Sequence, residues 1–452
     1  MTSSFLNYYR CPDEFARFGV ARELGRTPGF FRFGKQNICF GRSAGPVVQT
    51  ANGNLPQALP LLPARQGEIT LPFDVNEILE NLRKERYIAP EDPSFSLKKL
   101  INKAYYAARP ILPVGIRKYL QQFYLRSRRS MAFPSWPIDK TVDNLCAELM
   151  SLSLQANGNR RIPFVWFWPD DYQGCVLMTH DVEHEPGRAF CGDLMDLNDR
   201  YGIRSSFQVV PEERYVVPDA FLESIRARGY ELNVHDLNHD GHLFQSRELF
   251  LKRAKKINEY ATRWRVEGFR AGGMYRNAEW NEAFQFEYDM SFPSAAHLEP
   301  QNGGCCTVMP YFSGELVELP LTTTQDYSLF HILGQYSIDL WKDELDTIVS
   351  SNALATFIVH PDYVIDPRAR RVYENLLQYL SELCIRAKLW QPLPRDVARW
   401  WRERSQMRIE RYDGSWRVVG RGSERARVAF AQIEEGRLAY HVEKSPCRET
   451  IA

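Results

Sequence analysis

The sequence predicts an α/β protein in which parallel strands alternate with helices, either as a barrel or as a doubly wound sheet. Between residues 165 and 400, short apolar runs alternate with segments whose apolar residues recur at three- and four-residue steps. Glycine and proline stand at the transitions, and several apolar runs end abruptly in ionisable residues. Because 452 residues exceed one ordinary core, further regions are expected on both sides of this domain.

The chain is expected to divide into four regions. These are a mixed α/β region of unknown role (1–98), a helical, basic connecting segment (99–164), the β/α domain (165–400) and a small β appendage (401–452). In the first region a hairpin is predicted around Gly34 and a helix from Val75 to Leu82. In the appendage two hairpins are predicted, one around Asp413-Gly414 and one around Gly436.

Within the β/α domain the elements follow in order along the chain. Strands are predicted at Cys175–Met178, Ser206–Val210, Tyr230–Val234, Gly268–Phe269 and Ala355–Val359. Helices are predicted at Asp193–Tyr201, Asp219–Arg228, Arg247–Trp264 and Arg371–Leu389.

Composition limits the partners and the cellular location. The net charge of +1 gives no overall bias toward nucleic acid, and we expect no nucleic-acid partner. The sequence has neither a secretory signal pattern nor an apolar run long enough to span a membrane, and its nine cysteines lack paired spacing. These features favour a cytoplasmic protein with reduced thiols. Residues 98–136 carry apolar stripes beside basic residues; such stripes usually pack on a neighbouring domain, but they also suit peripheral contact with the inner face of a membrane.

Asp181 and Glu183 follow the first strand of the β/α domain. Being two residues apart, they project to the same side of an extended backbone, where two carboxylates require a cation or a shared proton. The alternative is a solvated strand-to-loop junction. Active sites of such domains collect at the carboxyl ends of the parallel strands, so we take the pair as site candidates.

His235 and His239 follow a second strand. A spacing of four places both imidazoles on one side of a helical turn, and with a carboxylate they would supply three ligands to a divalent metal. A polar loop whose histidines bond to backbone groups is the alternative. The spacing therefore predicts a metal site only together with Asp181 or Glu183.

Arg270 and His360 follow two further strands. The Arg270 guanidinium can orient a carboxylate, and the following Gly272-Gly273 lets the backbone approach a ligand. His360 would reach the same edge as a candidate general acid. Each has an ordinary structural alternative, a surface arginine beside a turn or a histidine at a strand end, but their convergence is more informative than any one residue.

Taken in order, T-H-D-V-E at 179–183, H-D-L-N-H at 235–239, F-R-A-G-G at 269–273 and I-V-H at 358–360 resemble the motifs of NodB-type polysaccharide deacetylases, carbohydrate esterase family four. The resemblance implies an irregular (β/α) barrel and a deacetylase site. It implies that Asp181 is the general base, oriented by Arg270, that His235 and His239 bind the metal, and that His360 is the general acid. Asp289 corresponds loosely to a residue that supports Arg270.

The first motif departs from the family's usual pattern. Many members have two adjacent aspartates, whereas Val182 follows Asp181 here. Since a subset uses D-x-D, the resemblance assigns the metal position to Glu183. Zinc is the expected ion, although D-V-E also resembles an allantoinase-like branch that does not require a metal.

Three functions follow as hypotheses. The leading one is a metal-dependent hydrolase that removes N-acetyl, or O-acetyl, groups from a glycan or a lipid-linked saccharide precursor. The second is a metal-independent hydrolase of another C–N amide bond. The third is a non-catalytic barrel that binds glycans or assembly partners. The sequence does not predict the sugar, the acyl group or the oligomeric state.

Overall fold

The computed structural model describes residues 4–35, 37–60, 69–88, 125, 131–158 and 160–443. Most of the predicted amphipathic segment at 98–136 lies outside the described residues. The described helices are α1 (Ser4–Tyr9), α2 (Val75–Arg83), α3 (Thr141–Ala156), α4 (Glu185–Arg200), α5 (Asp219–Ala227), α6 (Arg247–Trp264), α7 (Asp339–Val349), α8 (Pro361–Val364), α9 (Pro367–Arg386) and α10 (Pro394–Gln406). None of them combines the length and apolar composition needed to cross a bilayer.

The strands form one large sheet and several small ones. In chain order they are β1 (Phe18–Val20), β2 (Gly29–Phe33), β3 (Asn37–Gly41), β4 (Gln57–Ala58), β5 (Ile69–Leu71), β6 (Ile162–Val165), β7 (Gly174–Val182), β8 (Ser205–Val209), β9 (Glu231–His235), β10 (Gly268–Arg270), β11 (Tyr288–Asp289), β12 (Tyr311–Ser313), β13 (Leu316–Glu318), β14 (Leu354–Ile358), β15 (Leu389–Trp390), β16 (Arg408–Tyr412), β17 (Ser415–Val419), β18 (Val428–Glu434) and β19 (Arg437–Val442).

The large sheet is the centre of the β/α domain. Its nine strands are ordered β12-β13-β11-β10-β9-β8-β7-β14, with β15 also paired to β7. All the pairs are parallel except β12 with β13. Helices connect many of the consecutive strands, and the irregular order and the antiparallel edge strand distinguish the sheet from a regular eightfold barrel. The predicted irregular (β/α) barrel is therefore confirmed.

The sheet register brings the predicted site together. Arg270 is the Cα partner of His235 on the neighbouring strand, and Ile358, two residues before His360, pairs with Thr179. β7 extends to Val182, so Asp181 lies within the strand rather than after it. All nine residues of β7 are buried, as is typical of a central parallel strand covered on both faces.

One local prediction was wrong. His235 and His239 do not share a helical turn, because residues 236–239 form an irregular bend. Asp236 and His239 both have left-handed backbones, with φ of 55° and 53°. These conformations turn the second imidazole back beside the first, and the ring centroids lie 4.9 Å apart.

The flanking regions pack on the barrel through shared apolar contacts. The N-terminal hairpin β2–β3 and both C-terminal hairpins form as predicted. β18 also pairs with β6, and one continuous apolar cluster contains core residues from both ends of the chain and from the barrel. The buried Arg404 guanidinium donates to the carbonyls of Tyr8, Tyr9, Val165 and Trp166, joining the N-terminal helix to the strand that precedes the barrel.

Candidate metal centre and active site

Three predicted metal ligands converge at the carboxyl end of the sheet. Glu183, His235 and His239 each offer one ligand atom, and these atoms lie within 4.8 Å of one another. Oε1 of Glu183 lies 2.9 Å from Nε2 of His239 and 3.6 Å from Nε2 of His235. Ligand atoms around a tetrahedral zinc ion, with bonds of about 2.0–2.2 Å, are roughly 3.3 Å apart. The separations fit a small divalent cation.

The hydrogen bonds of the two histidines support this assignment. Nδ1 of His235 lies 3.1 Å from the carbonyl oxygen of Arg270, which can only accept, so the proton is on Nδ1 and Nε2 presents a lone pair. Nε2 of His235 and Nε2 of His239 are both buried, and neither makes a well-directed hydrogen bond, although Nε2 of His239 forms an ion pair with Glu183 at 2.9 Å. Because a buried polar atom without a well-directed hydrogen bond is costly, two such atoms beside one carboxylate suit a bound cation.

Glycine is required where the loop after Arg270 passes these ligands. A Cβ at Gly272 would lie 2.8 Å from Cδ2 of His239 and 2.6 Å from Oδ2 of Asp236. Any side chain there would displace His239. The predicted role of the glycines, close backbone approach, therefore applies to the candidate metal site.

Asp181 is held by the arginine predicted to orient it. Nη1 of Arg270 donates to Oδ1 of Asp181 at 2.7 Å and to Oγ1 of Thr179 at 2.8 Å, while Nε donates to the carbonyl of Met290. Oδ2 of Asp181 faces the metal-site side, 3.8 Å from Nε2 of His235. Burial alone would raise the pKa of Asp181, but Arg270 and the nearby histidines lower it below its usual range. Asp181 is therefore an ionised carboxylate with one oxygen available.

His360 lies on the opposite side of Glu183, with its Nε2 3.4 Å from Oε1 of that carboxylate. Its Nδ1 donates to Oδ1 of Asp326 at 2.6 Å, and its backbone N–H donates to Oδ2 of the same residue. Burial would lower the pKa of His360, but Asp326 and Glu183 raise it well above its usual value. The ring is held with a proton on Nε2, directed toward the site.

Glu183 is the shared neighbour of all three imidazoles. Burial would raise its pKa, yet His239 and His360 hold the pKa well below its usual range, so the carboxylate is ionised. Nε of Arg214 donates to the backbone carbonyl of Glu183 and fixes this end of the strand. Glu183 is thus the carboxylate at which the three imidazoles meet.

Sequence reasoning missed several supporting residues. Asp326 lies 34 positions before His360, outside any recognisable strand end, and only the fold brings the two together. Thr179 lies inside the first motif, and its contact with Arg270 follows from the strand register. Asp289 does not bond to Arg270; it accepts from Ser291, whose hydroxyl also accepts from the N–H of Ala271. His242 is half-exposed, pairs with Asp240 and takes no part in the site.

Comparisons with known proteins give distant structural likenesses. No family model matches the chain, and no curated protein matches its sequence. Similar solved structures include a protein assigned as a polysaccharide deacetylase from Mycobacterium smegmatis, with 19% identity and a TM-score of 0.44, over 55% of this chain and 98% of that one. Puue allantoinase has 15% identity and a TM-score of 0.39, over 52% and 92% of the two chains. Peptidoglycan deacetylase PdaC from Bacillus subtilis has 13% identity and a TM-score of 0.34, over 52% and 96%.

Proposed function

We propose that this protein is a deacetylase-type hydrolase that cleaves the C–N bond of an acetamido group on a saccharide, or less favourably an acetyl ester, with a divalent metal ion. The observation that carries the proposal is the grouping of the Nε2 atoms of His235 and His239 with the carboxylate of Glu183, all within 4.8 Å of one another. Asp181 and His360 stand close to this group, and they supply a base and an acid on strand ends of the same sheet.

Glu183, His235 and His239 are the residues that would hold the ion, for which zinc is the expected identity. When bound, a divalent ion there would acidify water and polarise the acetyl carbonyl. The donor set of two imidazoles and one carboxylate is that of catalytic zinc sites, which keep a position for water or substrate.

Asp181 acts as the general base. Arg270 occupies Oδ1, so Oδ2 is the oxygen that accepts a proton from the attacking water. Because the same arginine also bonds to Thr179 and to the carbonyl of Met290, the carboxylate keeps its orientation while the charge on it changes.

His360 acts as the general acid. Asp326 accepts the Nδ1–H, which leaves the Nε2–H for the leaving nitrogen. As the C–N bond breaks, that nitrogen takes the proton, and the products are acetate and a free amine. Water, base and acid together balance the reaction.

The substrate is proposed to be an acetylated saccharide, with a lipid-linked precursor at the inner face of the membrane as the specific form. The basic residues beside apolar stripes in the sequence of residues 98–136 support peripheral contact with anionic lipid, and we propose the cytoplasmic side of the membrane as the location. Fractionation at low salt tests this part, because a protein wholly in the soluble fraction would contradict it.

A metal and acetate assay tests the main proposal. Protein purified without chelator is analysed for bound metal and for acetate release from acetamido sugars. We expect Asp181→Asn to keep the metal and lose activity, and His235→Ala to lose both. His242→Ala is the matched control, since His242 lies three residues beyond His239 but outside the site, and it is expected to match the wild type.

The outcomes separate the alternatives. A full metal site with no acetate from any acetamido sugar rules out the main proposal. Glu183 lies near three histidine Nε2 atoms, an arrangement that also favours an ion-free site. Metal-free protein that hydrolyses another C–N amide bond would therefore support the second candidate, a metal-independent hydrolase. Unchanged cellular function in both Asp181→Asn and His360→Ala would favour a binding role.

A further inference from the structure

A buried ion pair joins the N-terminal region to the barrel. Nε of Arg276 donates to Oε2 of Glu85 at 2.8 Å, and Nη2 donates to Oε1 at 2.5 Å. The two side chains are 1% and 6% exposed. This two-point geometry is the strongest form of an arginine–carboxylate contact. It links residues 191 positions apart, one of them in the region whose role the sequence leaves unknown.

The backbone of Glu85 shows that its side chain is retained at a local cost. Glu85 lies two residues beyond α2 with φ of 56°. Its N–H bonds to the carbonyl of Leu82, and the N–H of Arg86 bonds to that of Asn81, a helix ending in which glycine is the usual residue. A residue with a Cβ costs about 1–2 kcal/mol in this conformation. The carboxylate is therefore the reason to have glutamate here.

A second loop of the barrel is also shaped around this carboxylate. The N–H of Gly304 donates to Oε1 of Glu85 at 2.6 Å, and the hydroxyl of Tyr87 donates to the carbonyl of Gly304. A Cβ on Gly303, which has φ of 119°, would lie 2.6 Å from Oε1 of Glu85. The carboxylate is thus enclosed by Arg276 and by the backbone of residues 303–304.

The ion pair between Arg276 and Glu85 constrains residues 271–276, here called the post-Arg270 loop, which leads to the site. Nη1 of Arg276 donates to the carbonyl of Met274 at 2.7 Å, and Met274 shares a buried apolar cluster with Leu321 and with Ile358, which lies two residues before His360. At the other end of the loop, Gly272 lies against His239 with no room for a Cβ. A shift of this loop would therefore move a proposed metal ligand and the strand that carries the proposed acid.

We infer that Glu85, acting through Arg276, is a positioning residue that holds the post-Arg270 loop against His239. The N-terminal region then contributes a residue that positions a proposed metal ligand. The activity measurement for this inference rests on the proposed function. The zinc-affinity measurement does not, because it requires no known substrate.

The test compares Glu85→Gln with Glu279→Gln. Glu279 pairs with Arg86, the residue after Glu85, at 2.6 Å, but its side chain is 56% exposed, so it is a matched ion-pair control without burial. Zinc affinity by competitive titration, kcat and KM for acetate release, and thermal unfolding are measured on each full-length protein. We expect Glu85→Gln to weaken zinc binding about tenfold or more and to lower kcat more than it changes KM. Glu279→Gln is expected to match the wild type.

Each outcome has a defined meaning. If Glu85→Gln folds and keeps wild-type zinc affinity and kcat, the inference is overturned, whatever its unfolding temperature. Since removing one partner of a buried pair leaves an uncompensated charge, Glu85→Gln can fail to fold. Arg276→Lys is then tested, because it keeps the opposite charges but loses the two-point contact with Glu85 and the bond to the carbonyl of Met274. Wild-type zinc affinity and kcat in that variant would also overturn the inference. If the wild type releases no acetate but Glu85→Gln still weakens zinc binding, only the proposed function fails.

Discussion

Two sets of histidines in the barrel differ in how their ring nitrogens are bonded. Nδ1 of His180 donates to the carbonyl of Val359, and its Nε2 accepts from Nδ2 of Asn198 at 3.0 Å. His235 and His239 each leave Nε2 without a hydrogen bond, beside Glu183. Burial lowers the pKa of His180 to about 4, so it stays neutral at physiological pH. Of the three imidazoles, only the last two direct Nε2 toward a common carboxylate, that of Glu183.

The contrast shows how a structural histidine is distinguished from a ligand in this fold. His180 lies within the first motif, next to Asp181, yet it faces α4 and α9 through Asn198 and Tyr373 rather than the strand ends. A satisfied ring contributes to folding, while an unsatisfied one lowers stability unless something binds to it. Substitution of His180 should therefore lower stability more than metal binding. Substitution of His235 or His239 should lower metal binding more than stability.

Substitution of a proposed ligand should give the largest effect. His239→Gln removes one imidazole, and we expect metal affinity and acetate release to fall by about a thousandfold or more, since too few protein ligands remain. The metal-free variant loses the 2.9 Å contact between Nε2 and Oε1 of Glu183, so we expect its unfolding temperature to fall slightly. Metal analysis, kinetics and calorimetry of metal-free protein check this. Retained metal at full occupancy would end the assignment of His239.

The partner of His360 should matter less, but measurably. In Asp326→Asn the amide cannot stabilise a charged ring or fix the Nδ1–H as a carboxylate does, and we expect kcat to fall at least about tenfold. Metal affinity should stay close to that of the wild type, because Asp326 is not among the grouped ligand atoms. A variant with normal kcat would show that His360 needs no orienting partner.

Much of this arrangement was predictable from the sequence, because strand ends are local features. Asp181, His235, Arg270 and His360 each end an apolar run, and parallel strands bring such ends to one edge. The helix α6 was predicted at its observed bounds, since its apolar period is uninterrupted and Ser246 caps its first turn.

What could not be predicted depends on contacts between distant segments or on unusual backbone. Asp326 and Glu85 reach their partners across 34 and 191 residues, and no local pattern marks either one. The bend that places His239 uses left-handed φ at Asp236 and His239, whereas a spacing of four is read as a helical turn. α4 begins at Glu185, earlier than predicted, because Pro186 is acceptable in a first helical turn.

The satisfied histidine should show the reverse pattern. His180→Phe keeps an aromatic ring but removes the hydrogen bonds to the carbonyl of Val359 and from one N–H of Asn198, and we expect a loss of about 2–4 kcal/mol in the free energy of unfolding. Zinc affinity should be unchanged, since His180 is not among the grouped ligand atoms. Urea unfolding and metal titration test this. Strongly weakened metal binding in this variant would contradict the assignment of His180 to a structural role separate from the proposed ligands.

Glu344 extends the contrast to a carboxyl group whose two oxygens both accept hydrogen bonds. It is buried on α7 and accepts hydrogen bonds from the N–H and the hydroxyl of Thr324, two residues before Asp326. Burial raises its pKa to about 8, although the bonds to Thr324 partly oppose this. Between pH 4.5 and about 8 the unfolded chain loses this proton first, so the folded state loses stability as pH rises through that window.

Glu344→Gln should remove this pH dependence and keep one oxygen acceptor for Thr324. Since one pKa unit corresponds to about 1.4 kcal/mol, the wild type should lose at most a few kcal/mol more than the variant between pH 5 and pH 8.5. Urea unfolding of both proteins at the two pH values measures the difference, and parallel curves would contradict a raised pKa at Glu344. Because Glu344 lies outside the grouped ligand atoms, its substitution should leave zinc affinity unchanged. Because its oxygens are hydrogen-bonded within the protein, Glu344 belongs with His180 among the groups that stabilise the barrel, and not with the proposed metal ligands.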